Sequence, residues 1–181
     1  MAIAADLTQG CNDSFRSGNQ EFYIQEACNV TAATASGSDH SFTSITTSGD
    51  WFKFEGHRNT MDWNAEGGDN GSFTVTANIT FEGNEKDKIK KIQDVINARK
   101  VCVIAVSNES AGTNPRAFLL GYDNLVGNQA YLEVKAAGKI EASAFEGVND
   151  ITLTFTGTQL EYPREVVADI NYNSGTITLG S

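Results

Sequence analysis

Residue types that commonly perform catalysis are sparse in this chain of 181 residues. Its two histidines, His40 and His57, lie in polar, turn-like sequence, and neither is near a nucleophile motif. The sequence contains no GxSxG, P-loop or HExxH pattern and no Cys/His spacing typical of zinc. Its carboxylates are spread out, without a pair whose surroundings would separate two pKa values. We therefore predict a non-enzymatic protein with no catalytic residue and no cofactor; a hydrolase that uses the two histidines is a competing hypothesis.

The cysteines and one glycine-rich segment are the remaining candidates for a cross-link or a metal site. Cys11, Cys28 and Cys102 form an odd set without CxxC spacing, which predicts free thiols, with Cys102 as a small core residue. A Cys11–Cys28 disulfide is the alternative. Segment 67–71 holds an aspartate and an asparagine but lacks the DxDxDG order and the closing glutamate of a calcium loop. We expect no metal.

Length and charge limit the fold and the partners. The chain is long enough for one domain with a sizeable core. A net charge of −10 argues against a nucleic-acid-binding surface and against docking on anionic membrane. The N-terminus lacks the pattern of a signal peptide, and no apolar run is long enough to span a bilayer. We expect the protein to fold in a cytoplasm.

A strict alternation of apolar and polar residues runs from Phe73 to Phe81, which predicts a strand with one buried and one wet face. The apolar positions are Phe73, Val75, Ala77, Ile79 and Phe81. The polar positions are Thr74, Thr76, Asn78, Thr80 and Glu82. Residues 151–156 repeat the pattern, with outward Thr152, Thr154 and Thr156. The alternation slips at Gly157, which predicts a bulge or a sharp bend.

One helix is well signalled between residues 84 and 100, where Asn84 is a good N-cap. Its apolar stripe follows helical spacing at Ile89, Ile92 and Ile96. The lysines lie mainly off this stripe, on a face expected to be solvated. The next run, VCVIAV (101–106), is continuously apolar and predicts a strand buried on both faces. Residues 116–122 are expected as its antiparallel hairpin partner.

The remaining segments complete a mainly β fold. Short strands are predicted at 21–27, with Phe22 and Ile24 inward, at 41–47, at 51–56, and as a hairpin around Gly138; residues 31–40 read as a loop. The count of nine or ten strands and one helix predicts an antiparallel β-sandwich or open barrel with one α-helix packed on it. We expect a single domain, 1–181, with an N-terminal arm at 1–20 and a C-terminal segment at 163–181 that forms a strand pair or reaches outward.

A long polar insert, 57–70, separates two of these strands. It carries two large apolar side chains, Met61 and Trp63. Loops of this length without structure of their own are usually functional or disordered. Two interpretations stay open for Trp63: a plug that folds back over the core, or an anchor for another subunit.

The outward strand positions are rich in Thr, Ser and Asn, and lack the Lys/Glu mixture that commonly protects sheet edges. One explanation is an ordinary soluble sandwich with a Thr-rich solvent face. The other is a subunit whose sheet continues into its neighbour's and closes a ring, so that the polar face lines a lumen or a subunit contact.

The segment from Trp51 to Tyr122 resembles the tail tube (major tail) proteins of long-tailed bacteriophages. The likeness lies in the WFKFEG strand, the polar insert, the NGSFTVTANITFEG strand, a single helix built like NEKDKIKKIQDVINARK, and an apolar hairpin. The arm and the C-terminal segment are also similar to that family. Contractile-tail tubes and type VI secretion tube proteins share this architecture.

The resemblance implies a virion protein of the tail, assembled in the host cytoplasm as stacked six-membered rings around an acidic bore through which the genome passes. Its partners would be itself, other tail proteins such as tape measure and terminators, and DNA transiently and non-specifically, with no membrane. The lumen candidates are Thr74, Thr76, Asn78, Thr80, Glu82, Thr152, Thr154 and Thr156. The inter-ring candidates are Met61 and Trp63, and the helix would lie outside the barrel.

Two further hypotheses compete with the tube subunit. A monomeric β-sandwich that binds carbohydrate or a receptor would need an exposed aromatic platform, for which Trp51, Trp63 and Tyr122 are available. A capsid-decorating virion protein would share some of the composition.

Overall fold

The computed structural model describes residues 19–56, 60–82, 86–111, 114–139 and 150–179. In these residues the helix α1 spans Lys86–Ala98, and the strands are β1 (Asn19–Glu26), β2 (Val30–Ala35), β3 (Ser41–Thr47), β4 (Phe52–Phe54), β5 (Asp62–Gly67), β6 (Phe73–Glu82), β7 (Lys100–Ala111), β8 (Asn114–Leu120), β9 (Leu132–Lys139), β10 (Asp150–Gln159), β11 (Arg164–Val166), β12 (Ile170–Tyr172) and β13 (Gly175–Ile177). Two single-turn 3-10 helices occupy Ala27–Asn29 and Asn128–Ala130.

Strand β7 lies at the centre of the molecule. It pairs antiparallel with β1 along one edge and with β8 along the other, and its first residues also pair with β9. Every residue from Val101 to Val106 is fully buried. Successive side chains of a strand point to opposite faces, so β7 contributes to two separate hydrophobic cores. The predictions of a strand buried on both faces and of its hairpin partner are confirmed.

The first core lies between this central layer and an outer sheet ordered β9-β10-β6-β5. The inward residues of β6 meet Val103 of β7 and Phe155 of β10, and α1 adds Ile92 and Val95. The alternation predicted for β6 is confirmed, because Val75, Ala77, Ile79 and Phe81 are all buried. The helix ends at Arg99, whose left-handed φ of 62° turns the chain directly into β7.

The second core lies on the opposite face of the central layer. It contains Tyr23, Phe42 and Ile104, and it is covered by β2, β3, β11 and the hairpin β12–β13. The C-terminal segment, as far as residue 179, therefore packs on its own chain: of the two alternatives, the strand pair is correct. Strand β11 extends the sheet by pairing with β8 and, in parallel, with β3.

Two local predictions are wrong for one reason: the chain forms more strand than its polar composition suggests. Residues 31–40 were expected to form a loop, but β2 occupies 30–35 and pairs with β3. The insert 57–70 was expected to form one long loop, but β5 occupies 62–67 and pairs with β6. In β1, Tyr23 is buried beside Phe22 and Ile24, since this strand has a core on each side.

Two glycines serve purposes other than those predicted. The register of β10 with β6 is unbroken from Asp150 to Gln159, so Gly157 makes no bulge. A Cβ at Gly157 would lie 2.4 Å from the carbonyl oxygen of Tyr131, so glycine is needed for close approach of two backbones. Gly138 is opposite Ile151 within the β9–β10 pair, and therefore does not form a turn.

The described residues form a mainly β protein with a single helix and a large mixed sheet, as predicted for a β-sandwich with one helix packed on it. Cys102 is buried in the core, as predicted, and Cys28 is exposed. Asn84, His57, Cys11 and the second strand of the expected hairpin around Gly138 lie outside the described residues, as does nearly all of the N-terminal arm. Among the described helical residues, no segment has the length and hydropathy needed to cross a bilayer.

Candidate functional site

The wet faces of β6 and β10 join into one polar surface, the hydroxyl ladder, defined by residues Thr74, Thr76, Asn78, Thr80, Glu82, Thr152, Thr154, Thr156 and Thr158. The two strands pair antiparallel without a register shift, so Thr80 is directly opposite Thr152, and Asn78 is opposite Thr154. Residues directly opposite in a sheet point to the same face. All eight lumen candidates therefore lie on one continuous surface.

Cross-strand hydrogen bonds run along this hydroxyl ladder. The hydroxyls of Thr80 and Thr152 are 2.8 Å apart, and those of Thr76 and Thr156 are 3.3 Å apart. Between them, the hydroxyl of Thr154 donates to Asn78 Oδ1 at 3.0 Å. These polar groups are partly satisfied by one another, which favours fixed rotamers and a flat surface.

Strand β5 extends the hydroxyl ladder with acidic side chains. Asn78 Nδ2 donates to Asp62 Oδ1 at 2.8 Å, and Asn64 Nδ2 donates to Glu66 Oε1 at 3.2 Å. A shallow, open depression of about 250 Å³ lies here. Its lining residues are Asp62, Trp63, Asn64, Glu66, Thr74, Thr76 and Asn78.

The described charges on this side of the molecule are mostly acidic, with a basic exception: the exposed Lys135 of β9 lies directly opposite Thr154 and so shares the ladder face with Glu133. From Thr60 to Glu82 the sequence contains four acidic residues and no lysine, arginine or histidine, and β10 adds Asp150 and no basic residue. The segment from Lys86 to Lys100 is the opposite, with six lysines and arginines against two aspartates. The net charge of −10 is therefore distributed unevenly along the fold.

The two inter-ring candidates occupy different environments. Met61 is 5% exposed and belongs to the first core, which argues against an anchor for a second ring, and its inter-ring role stays a prediction. Trp63 is half-buried and packs against the same core. Its ring lies 5.1 Å from Phe118 and 6.2 Å from Tyr162, measured between centroids. This favours the plug interpretation for the isolated chain, and its inter-ring role stays a prediction.

Sequence reasoning missed the aromatic group to which Trp63 belongs. Phe73 of β6 meets Tyr162 edge-on at 5.7 Å, and Phe118 of β8 completes the group beneath the guanidinium of Arg116. The four rings join β5 and β6 to β8 across the side of the sandwich. Tyr162 is 44% exposed, so the group has a solvent-facing edge. The only sequence signal was the change in phase after Gly157, which directs Leu160 and Tyr162 outward.

The aromatic platform proposed for a binding module is only partly available. Trp51 and Tyr122 are buried in the second core, so neither ring can stack on a ligand in this fold. The Tyr122 hydroxyl instead accepts the backbone N–H of Ala33 at 3.1 Å. Trp63, with Tyr162, is the remaining candidate.

The residues with catalytic potential are engaged in structural contacts. His40 Nε2 lies 2.7 Å from the carbonyl oxygen of Tyr162. Burial and the neighbouring Glu21 raise the pKa of Tyr23, and burial raises the pKa of the Cys102 thiol, so both stay protonated. Within the described ranges, no group of three or more Asp, Glu, His or Cys side chains is placed to hold a metal ion. The absence of catalysis and of metal stays a prediction.

No protein-family model, no curated protein and no solved structure matches this chain.

Proposed function

We propose that this chain is the structural subunit of a phage tail tube, and that its copies form stacked rings around a bore through which DNA passes. In this proposal the protein is not an enzyme, its principal partner is itself, and other tail proteins such as the tape measure and terminators bind the ends of the tube. It assembles in the host cytoplasm and resides in the virion.

The observation that carries the proposal is the hydroxyl ladder. Its nine positions are seven threonines, one asparagine and one glutamate, and the three strands β5, β6 and β10 contain no basic residue. An ordinary solvent-exposed sheet mixes lysine with glutamate to prevent association. Apart from Lys135 of β9, which lies opposite Thr154, the described part of this polar face is neutral to acidic, which suits a surface that must stay wet without retaining an anionic polymer.

Elementary electrostatics supports a wall of this kind around DNA. Duplex DNA carries one negative charge per ~1.7 Å of its axis, and each lysine or arginine that contacts a phosphate strengthens binding by counterion release. The nine ladder positions make no such contacts; Lys135 of β9, which shares their face, is a described exception. Six copies with a net charge of −10 each would give the ring a net charge of about −60, which further disfavours retention of DNA.

The unpaired border of the outer sheet also supports a ring. In the described residues β5 pairs with β6 on one side only, and the strand carries no lysine or proline to block association. A free edge of this kind is normally protected or paired. Closure into a ring would remove it.

The test is a pair of lysines in the proposed bore. Thr76→Lys with Thr154→Lys should leave tubes visible by negative-stain electron microscopy and slow genome ejection, because both side chains would meet phosphate. The matched control is Thr43→Lys with Thr46→Lys on β3, outside the outer sheet, which should eject normally. Equal ejection by both variants would remove the ladder from the bore, and a wild-type chain that forms no ring at any concentration would end the proposal.

A second candidate function is a monomeric carbohydrate-binding module. The depression beside β5 combines the amide of Asn64 with the carboxylates of Asp62 and Glu66, which are polar groups typical of sugar sites, while the Trp63 ring packs on the opposite face of the strand. Binding of a glycan by a strictly monomeric chain, lost in Asn64→Ala, would favour this function over the tube.

A further inference from the structure

Among the described residues, two segments of opposite charge lie at opposite borders of the outer sheet. We call Lys86–Lys100, which includes α1, the basic border; its net charge is +4 within a chain of −10. We call Asp62–Asp69, which includes β5, the acidic border; it contains three acidic residues and no basic one. The sheet order β9-β10-β6-β5 and the packing of α1 against β9 separate them by the width of four strands.

Both borders present their charges to solvent. Lys86 and Lys90 are exposed and, being four residues apart, lie on the same face of α1. Their face is opposite to that of Ile92 and Val95, which are held in the first core. On the other border, Asp62 and Glu66 are exposed along β5, two pleats apart on one face.

We propose that copies of this chain dock head to tail, with the basic border of one copy against the acidic border of the next. The inference rests on the proposed ring and specifies which surfaces of the subunit make it. Two different patches meet in such a contact, so it is heterologous, and it closes into a ring when the rotation between neighbours permits. The hydroxyl ladder lies between the two borders and is left free to face the bore, and Asp62 and Glu66, which share its face, meet the next copy at the rim of that bore.

The charge distribution accounts for association between copies that otherwise repel one another. Two molecules of net charge −10 approach most easily where the local charges are opposite in sign. This arrangement also fixes direction, because basic-to-basic and acidic-to-acidic contacts are disfavoured. Assembly should weaken as salt rises, since the screening length falls from about 8 Å at physiological ionic strength to about 3 Å at 1 M.

The experiment uses two complementary charge reversals in the full chain. The helix variant carries Lys86→Glu and Lys90→Glu, and the edge variant carries Asp62→Lys and Glu66→Lys. Each alone should raise the concentration for half-maximal assembly about 100-fold, as measured by mass photometry, because like charges then face each other at the substituted positions. An equimolar mixture should assemble like the wild type, within about threefold, because every contact in an alternating ring again joins opposite charges at these four positions.

Two controls separate this contact from general effects of charge and folding. A chain with all four substitutions keeps the net charge of −10 and should assemble. Asp50→Lys with Asp169→Lys gives the same change of charge as the edge variant at exposed sites outside the outer sheet, and should assemble normally. Thermal unfolding checks that every variant is folded.

Each outcome has a definite meaning. Wild-type-like assembly of either single-border variant, or failure of the mixture to recover, would overturn the proposed contact while leaving a ring built from other surfaces. A wild-type chain that stays monomeric at low salt would overturn both the contact and the ring.

Discussion

Strands β7 and β6 are both long and both flank the first core, yet they differ in what lies on their second face. The second face of β7 is covered by another core of the same chain, whereas the second face of β6 carries the hydroxyl ladder. Both faces of β7 are therefore committed to packing, whereas β6 has one polar face that neither core covers. Substitutions in β7 should consequently lower the free energy of unfolding. Substitutions on the ladder face of β6 should, in the proposed tube, change ring assembly or the passage of DNA.

The largest expected effect is in β7. Ile104 is fully buried in the second core, so Ile104→Ala should lower the free energy of unfolding by about 2–5 kcal/mol, through lost burial and a cavity. Thr80→Ala on the ladder is the matched substitution in β6 and should cost less than about 1.5 kcal/mol. Urea unfolding of both variants measures the contrast. Equal losses of unfolding free energy in the two variants would contradict the view that β7 contributes more to stability than the ladder face of β6.

A smaller effect is expected where β10 meets the end of the neighbouring strand. Gly157→Ala would place a Cβ 2.4 Å from the backbone oxygen of Tyr131, and should cost about 1–3 kcal/mol because one backbone must move. Gly37→Ala is the control, since no atom lies within 4 Å of its Cβ position. A stability of Gly157→Ala equal to that of the control, in the same unfolding assay, would contradict the close approach.

The contrast between β7 and β6 was also visible in the sequence, and for physical reasons. A continuous apolar run such as Val101–Val106 can be satisfied only by cover on both faces, and the alternation from Phe73 to Phe81 requires one wet face. Those patterns were sufficient to predict the fold class and to place the eight lumen candidates on exposed strand faces. Which of these residues lie opposite one another on β6 and β10 could be learned only from the strand register in the structure.

Other features could not be derived from local pattern. Strand β5 is polar on both sides of Trp63, and it is a strand because β6 offers it an edge, which is a tertiary effect. The polar neighbours of Met61 in the sequence predict an exposed side chain, whereas the core beneath it determines that the side chain is buried. A glycine in mid-strand predicts a bulge when only the sequence is known. The real reason for Gly157 is the backbone of Tyr131, which approaches too closely to leave room for a Cβ.

The pairing of hydroxyls on the ladder provides a finer test. Thr80→Val or Thr152→Val alone should cost about 0.5–1.5 kcal/mol, because each removes a hydrogen bond and leaves the other hydroxyl with fewer partners. The double substitution should cost less than the sum, since no partner is then left behind. A double-mutant cycle in urea measures this coupling. Strict additivity would show that the two hydroxyls do not interact.

The smallest expected effect lies outside both strands, at the turn after β10. Glu161 receives two hydrogen bonds from Arg164, at 2.9 and 2.8 Å, and one from the backbone N–H of Asn124 at 2.7 Å. The hydrogen bond from Arg164 is the main cause that lowers the pKa of Glu161 below its usual value, against the opposing effect of burial. A lowered folded-state pKa means that the contribution to stability is present above the unfolded-state value, about 4.3, and is lost as the pH falls through the folded-state value.

Glu161→Gln should therefore be less stable than the wild type at neutral pH, and the gap should close as the pH falls below about 4.3 and through the folded-state pKa, where the wild-type carboxylate gains its proton. Arg164→Gln should show a flatter dependence of stability on pH over the same interval, because it removes the main cause of the lowered pKa. Thermal unfolding between neutral and acidic pH measures both. If the difference in stability between the two proteins persists unchanged in acid, Glu161 acts through its shape and not its charge. Packing would then determine the stability of this turn, as it does in β7.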